Sequence, residues 1–431
     1  MAKAIISNRI YLDNPGVEET KQIIKTLTYK IHKDTGSKQF STVETIKNYK
    51  ILPKNILSLP QGRLDLIPSG YEIVDKRTQV SVPFPDPKFA LRDTQQVVYD
   101  EIQDTCFINA LVGWGKTFTA LHVAKKLGQK TLVVTHTTAL RDQWREEVQT
   151  LFGMPAGVIG GGSMAWEDHA ITVANVQTLV KYSAKLAKEF GTIILDEAHH
   201  CPASTFSQLI DDFHARYRIA LSGTMIRKDG KHIMFADFFG SKIYKPPQSH
   251  TLNPEVKLIQ TGITLKPGAT WVEKINHLTE DEDYQAFIAE LAKIQVALGY
   301  QVLVIADRVG FLQKVKEYVG ETCVLVTGET NFEQRQQIKQ QLLTKEKMCI
   351  AGSRQIFSEG ISINSLSCVI LAVPIANDSL LEQIVGRIQR EHEDKLVPVV
   401  LDMQFSGFMD KKQNRDRLGF YMRKGWNIEL V

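Results

Sequence analysis

Two stretches of the chain, from Phe89 to about residue 245 and from about residue 250 to near the C-terminus, each alternate short apolar runs with longer amphipathic ones. In the first, TLVVT, AITVA and TIILD are separated by GKTFTALHVAKKL and TALRDQWREEVQTLF; in the second, the apolar runs are QVLVIAD, CVLVTG, MCIAGS, CVILAV and LVPVVLD. A short run with no polar alternation has to be buried on both faces as a strand, and helices between such runs supply the cover. Each series therefore predicts a parallel sheet wound with helices, and the fold class expected is α/β with two tandem lobes.

The first 85 or so residues have a different texture. Short β-like runs (AIISNRIYL, TIKNYKIL, NILSLP) accompany one polar helical stretch, VEETKQIIKTL, which reads as a small α+β accessory domain. Pro83, Pro85 and Pro87 then break the chain, and KPPQSHTLNP makes a second break. The expected domains are residues 1–85, 86–245 and 246–431, the last ending in a basic amphipathic helix within DKKQNRDRLGFYMRKGW.

With 43% hydrophobic and 23% charged residues over 431 positions, the chain can bury a sizeable core and is neither disordered nor fibrous. Its 52 Lys and Arg exceed its 48 Asp and Glu by only 4, so bulk charge does not argue for a polyanionic partner. Cys106, Cys201, Cys323, Cys349 and Cys368 form no CxxC or Cys/His ladder and read as buried thiols of a reducing cytosol. The segment MAKAIISNRI is not continuously apolar and no run of ~18 apolar residues occurs, so neither secretion nor a membrane span is expected.

Three motifs carry chemistry. The run from Ala110 to Thr117, ALVGWGKT, follows the apolar CFIN and precedes a helical stretch. Gly113 and Gly115 permit the tight turn whose N–H groups meet phosphate oxygens, Lys116 can reach the terminal phosphates, and the Thr117 hydroxyl can hold Mg²⁺. Gly113, Trp114, Gly115, Lys116 and Thr117 are thus the expected nucleotide-binding residues. The second motif, TIILDEAH, delivers Asp196 and Glu197 to the C-terminal end of a strand, where open α/β sheets hold ligands. Asp196 is suited to holding Mg²⁺ and Glu197 to polarising the attacking water. The third is LEQIVGRIQR, where Gln383, Arg387 and Arg390 at i, i+4 and i+7 would share one helix face. A permanently charged guanidinium suits the charge on a transferring γ-phosphate, and Arg390 is the expected arginine finger.

These motifs, with Leu221-Ser222-Gly223-Thr224, resemble superfamily 2 helicases in order and spacing over roughly residues 89–405, which implies a pair of RecA-like lobes. LRDTQ at 91–95, Arg227-Lys-Asp229-Gly230 and Glu359-Gly360-Ile-Ser362 make the chain most similar to the DNA-directed group containing XPB and the phage branch-migrating helicase UvsW. The resemblance implies that Gln95 reads adenine with help from Arg92, that Ser222 and Thr224 couple the lobes, and that Gly360 lies near nucleotide. It also implies a sequence-independent nucleic-acid track over Thr137, Arg141, Gln177, Thr178, Arg308 and Ser353. Met225, His136 and Ser362 replace the Pro, Pro and Asp usual in relatives; UvsW-like helicases share the Ser. Trp144 and Trp166 read as packing residues.

The function expected is an ATP-dependent DNA helicase or translocase, a monomer using ATP and Mg²⁺ on branched or forked DNA in a bacterial or phage-infected cytoplasm. The N-terminal domain, with Lys411, Lys412, Arg415, Arg417, Arg423 and Lys424, would recognise the branch. The alternatives are an RNA helicase, a binding module with a dead ATPase site, and the motor subunit of a separate nuclease. Against these stand the short segment after the arginine motif, the intact catalytic residues, and the lack of a His-Asn-His or PD-(D/E)xK-like cluster.

Overall fold

The computed structural model describes residues 2–33, 42–110, 113–198, 209–223, 231–246, 252–265, 268–354, 363–375, 377–390, 392, 395–406 and 408–431. They belong to two compact units, Met1–Pro247 and Gln248–Val431.

The first unit holds the larger of the two parallel sheets. Its order, edge to edge, is Ser163–Ala165, Gly157–Gly160, Ile171–Asn175, Thr131–Thr135, Thr192–Leu195, Tyr217–Ser222, Cys106–Asn109 and Ile243–Tyr244. Every pair is parallel except the hairpin made by the first two. One face packs on Phe190, Phe213, Phe235 and Phe239, the other on Trp114, Leu121, Trp144 and Val148. Burial on both faces is why these strands are runs of Val, Ile and Leu rather than alternating patterns.

The N-terminal residues make their own sheet in the order Lys50–Leu52, Ile56–Pro60, Arg9–Asp13, Lys3–Ile6 and Glu72–Asp75. Alternation puts Ala4, Ile6, Ile10, Leu12, Leu57 and Leu59 on one face, where Ile23 and Leu27 from the helix Val17–Thr26 and the residue after it close the core. A separate hairpin pairs Thr28–Lys33 with Thr42–Lys47.

This small sheet is not loosely appended. Arg9 Nη1 donates to Asp211 Oδ2 at 2.5 Å, and the fully buried Arg218 donates from Nη2 to the carbonyls of Asn8, Ile210 and Phe213 at 3.1, 3.2 and 2.8 Å. Asp237, also fully buried, accepts from Tyr29 Oη at 2.8 Å, Asn48 Nδ2 at 2.7 Å and Arg63 Nη1 at 3.3 Å. Burial raises the Asp237 carboxyl above the ordinary range even though its donors pull it down. Gly62 N–H adds a bond to the Asp237 carbonyl at 2.9 Å, and a Cβ on Gly62 would lie 2.6 Å from the Ala236 carbonyl oxygen. The Pro-rich connector also stays on the lobe, with Val82 N–H on the Gly128 carbonyl and Lys88 N–H on that of Leu151. The segment read as an accessory domain therefore has its own sheet but shares one compact unit with the lobe after it.

The second unit is a seven-stranded, wholly parallel sheet in the order Cys323–Val326, Cys349–Ser353, Val302–Ala306, Cys368–Leu371, Val399–Gln404, Glu255–Gln260 and Asn427–Leu430. Helices Trp271–Glu280, Glu282–Ala297 and Val309–Val319 cover one face; Phe332–Leu343, Asp378–Ile388 and Phe408–Lys424 cover the other.

The helix Phe408–Lys424 is the basic amphipathic helix expected at this end of the chain, but Arg417, read with its exposed neighbours as a branch contact, faces inward. Arg417 is buried and donates from Nε to both oxygens of Asp402, at 3.0 and 2.9 Å, while Tyr421 Oη donates to the same carboxylate at 3.0 Å. Arg423 pairs with Asp378 and Lys424 with Glu382, at 2.7 and 2.6 Å. Lys411, Lys412 and Arg415 stay exposed. A strand-borne Asp at the centre of a sheet needs a buried cation, and the helix supplies it.

Cys106, Cys323, Cys349 and Cys368 are buried free thiols; Cys201 lies outside the described residues. Among the described residues no helix is long and apolar enough to cross a membrane.

Replacing Asp237 by Ala leaves the Tyr29, Asn48 and Arg63 donors without their shared acceptor. Urea unfolding should show the chain destabilised by about 3–5 kcal/mol; an unshifted midpoint would mean that these bonds do not hold the N-terminal sheet to the lobe.

Candidate nucleotide-hydrolysis site

The strand Cys106–Asn109 is buried up to its end, and its backbone pairing runs on one residue further, Ala110 N–H donating to the Ser222 carbonyl at 3.1 Å. The chain then turns through Gly113 and Gly115, whose φ values of +90° and +95° are open to glycine and strained for other residues. Leu111 and Val112 lie outside the described residues. The helix Lys116–Leu127 starts directly on the motif lysine. Lys116 is 8% exposed and donates from Nζ to the Ala110 carbonyl at 3.0 Å, so the loop closes on its own ammonium group. Thr117, the second residue of the helix, is half-buried. A helix N-terminus behind a glycine turn presents N–H groups and a positive dipole end, the arrangement that holds phosphate.

Arg92 and Gln95 meet this loop from the helix Asp93–Glu101. Arg92 Nη2 and Gln95 Nε2 both donate to the Trp114 carbonyl, the latter at 2.9 Å, and Gln95 Oε1 accepts the Arg92 N–H at 2.9 Å. Gln95 is 2% exposed with both ends of its amide bonded to backbone, so its observed role is to fix the loop. Trp114 packs its indole into the core beneath the loop, beside Ile108, Ala120 and Leu121.

Asp196 follows the strand Thr192–Leu195, one strand away from the loop: Tyr217–Ser222 lies between the two and ends on the buried Ser222. Asp196 Oδ1 accepts the Glu197 N–H at 2.9 Å, and Oδ2 accepts the indole N–H of Trp144 at 2.7 Å. Burial and then the Glu197 charge push the Asp196 carboxyl up to about 6, against the Trp144 bond and the Lys116 charge. Glu197 has φ +45°, a left-handed backbone costing about 1–3 kcal/mol in a non-glycine residue and typical of functional turns. His199, Thr224, Met225, Arg227, Asp229 and Gly230 lie outside the described residues.

In the second unit Gln383 and Arg387 are 6% and 5% exposed on the helix Asp378–Ile388. Arg390 does not continue their face, because the helix ends at Ile388, two residues before it. Just past the helix, Leu252 donates its N–H to the Gln389 carbonyl at 3.2 Å and accepts from Gln389 Nε2 at 3.3 Å. Arg390 Nη1 instead donates to Asn364 Oδ1 at 3.2 Å, and Lys395 Nζ caps the carbonyls of Asn364 and Arg390 at 2.9 and 2.7 Å. Burial and the Arg390 charge bring the Lys395 ammonium down to about 7. Glu359, Gly360 and Ser362 lie outside the described residues.

The residues read as a nucleic-acid track sit just after strands. Thr137 caps the helix Thr138–Phe152, accepting the Leu140 N–H at 3.2 Å; Gln177 is exposed and Thr178 half-buried on the short helix Val176–Leu179. Arg141 is 8% exposed and bonded to Asn175 Oδ1 and Asp142 Oδ1, with its guanidinium against Gly160 and Gly161. It braces that loop from within rather than reaching outward. Arg308 caps Val309–Val319 and donates from Nε to Asn276 Oδ1 at 2.7 Å; Ser353 ends Cys349–Ser353, beside the Arg354–Asp307 ion pair.

The sequence reading missed the Trp144 bond, the Asn364 and Lys395 contacts of Arg390, and the Arg354–Asp307 pair. Trp144 is buried, as a packing residue should be, but a bond spanning 52 positions leaves no local mark. Trp166 packs as read, with Lys185 Nζ 4.6 Å from its ring.

Comparison with known proteins identifies the family. The family described as type III restriction enzyme, res subunit, matches residues 88–227, and the helicase conserved C-terminal domain matches residues 283–392. The probable helicase D10 of Escherichia phage T5 is 39% identical over 98% of this chain and 95% of its own length. The DNA 3'-5' translocase XPB2 of Sulfurisphaera tokodaii is 24% identical over 80% of this chain and 88% of its own. Among solved structures, the DUF1998 helicase MrfA bound to DNA shares the fold, with a TM-score of 0.61 at 15% identity over 82% of this chain and 53% of that one.

A Cβ added to Gly115 would fall 2.3 Å from Gln95 Nε2 on a left-handed backbone. Gly115→Ala should weaken binding of a fluorescent ATP analogue by about tenfold or more, about 1.4 kcal/mol, and lower the melting temperature as well, since Ala is strained on this backbone; unweakened binding would mean that the loop does not hold nucleotide.

Proposed function

The chain belongs to the superfamily 2 helicases, in the XPB/UvsW-like group, and from that premise we propose that this ATP-hydrolysing enzyme is a DNA helicase or translocase acting on branched or forked duplexes. The observation that carries the reading is that, within the first unit, the glycine loop, the Asp196–Glu197 pair, Thr137, Gln177 and Thr178 all follow the C-terminal ends of strands of one parallel sheet.

Lys116 leaves the Ala110 carbonyl to meet the terminal phosphates, while Gly113 and Gly115 let the loop N–H groups approach them. Thr117 and Asp196 would hold Mg²⁺. The donor set fits: a hydroxyl and a carboxylate are hard oxygen donors. Bound there, Mg²⁺ screens the phosphate charge. Glu197 orients the attacking water, and the guanidinium groups of Arg387 and Arg390 stabilise the charge on the transferring phosphoryl group. Asn364 and Lys395 set the Arg390 position.

The track proposed for the strand is Thr137, Gln177, Thr178, Arg308 and Ser353, whose polar groups suit backbone contacts that ignore sequence. A DNA substrate is supported by the likeness to the DNA 3'-5' translocase XPB2. The exposed Lys411, Lys412 and Arg415 and the N-terminal sheet are the proposed surface for the duplex arms, and the working unit is a monomer. Deleting residues 1–85 would also uncover Arg218 and Asp237, so point substitutions on exposed residues are the cleaner probe of recognition.

ATPase activity should rise with DNA and stay near basal with RNA, and forks and four-way junctions should be unwound faster than tailed duplexes; stronger stimulation by RNA would overturn the substrate assignment. Glu197→Gln should bind nucleotide yet not turn over, Lys116→Ala should lose both, and Arg390→Ala should lower kcat by ~10³-fold. Steady-state kinetics beside nucleotide titrations check all three, and an unaltered kcat in Arg390→Ala removes it as the finger.

A further inference from the structure

The indole N–H of Trp144 donates to Asp196 Oδ2 at 2.7 Å from the seventh position of the helix Thr138–Phe152, and both side chains are buried. The other carboxylate oxygen takes the Glu197 N–H, so two donors from different elements fix the plane of the carboxylate. An indole N–H only donates, which commits it to the oxygen it faces. The bond is not a general requirement for burying indole in this lobe. Trp114, 2% exposed in the same core, has no hydrogen-bond partner for its N–H among the described residues.

We propose that Trp144 is a positioning residue for the divalent cation that accompanies nucleotide, holding the Asp196 carboxylate in the one orientation from which it binds the metal. The inference rests on the reading of Asp196 as the metal-holding residue. The donors that orient a ligating carboxylate typically contribute 10- to 100-fold to metal affinity. Trp144 does so from the helix Thr138–Phe152, on the sheet face that also carries Trp114 and Leu121, with no contact to nucleotide required.

The test uses the full chain and a fluorescent non-hydrolysable ATP analogue, titrated once with excess Mg²⁺ and once with EDTA. The readout is the ratio of the two affinities. Trp144→Phe should lower this ratio by about tenfold, with the metal-free affinity within about a factor of two of the parent. An unchanged ratio, or an equal loss in both titrations, overturns the proposal, the second outcome marking a merely structural role. Asp196→Asn separates the two readings. If it leaves the ratio intact, Asp196 does not hold the metal; if it collapses the ratio and Trp144→Phe does not, only the positioning role falls. Should Phe destabilise the core, 3-benzothienylalanine at position 144 keeps the bicyclic shape without the N–H and is read by the same ratio.

Discussion

A strand buried on both faces can offer chemistry only at its ends, and in a parallel sheet those ends all lie on one edge. That constraint organises both units. Cys106–Asn109 leads to the phosphate loop, Thr192–Leu195 to Asp196 and Glu197, Thr131–Thr135 to Thr137, and Ile171–Asn175 to Gln177 and Thr178. In the second unit Val302–Ala306 leads to Arg308 and Cys349–Ser353 ends on Ser353. The apolar character of each strand is thus inseparable from the placement of the polar residues that follow it. Had these strands alternated polar and apolar residues, one face would be wet and the helix that starts on Lys116 would have no apolar surface to pack against.

At the strand ends of each unit the polar side chains are committed to one another. Lys116 bonds the Ala110 carbonyl, Arg92 and Gln95 share the Trp114 carbonyl, and Arg390 is held by Asn364. Such bonds order side chains that would otherwise be free to rotate. The same economy of partners marks the buried cations away from the edge: Arg9 and Arg218 at the N-terminal sheet, Arg417 on Asp402. Each would be costly to bury alone and is placed where main-chain carbonyls or a carboxylate meet it.

The fold class, the two lobes and the strands that carry the motifs were legible in the sequence because each depends on local pattern: apolar runs, glycines at a turn, prolines at a break. What was not legible depends on contacts between distant positions. Residues 1–85 look separable because Asn8, Arg9, Tyr29 and Asn48 read as ordinary surface polars, yet their partners lie at 211, 218 and 237. Arg417 looks like one more basic residue of a solvated helix until Asp402 is seen opposite. Helical spacing from Gln383 extends to Arg390 on paper, but the helix stops at Ile388, and Gln389 and Arg390 take partners distant in the chain, Leu252 and Asn364. Trp144 follows the apolar period of its helix, and period alone says nothing of what its N–H meets.

Each unit is made from one uninterrupted stretch, with a single junction near Pro247. On a ribosome adding roughly 5–20 residues per second, the second unit takes on the order of ten to forty seconds to be synthesised after the first is complete. The two sets of Val- and Ile-rich strands are chemically alike and could pair across sets if they were exposed together. Sequential emergence separates them in time: all eight strands of the first sheet, down to Ile243–Tyr244 beside Cys106–Asn109, are synthesised before any strand of the second.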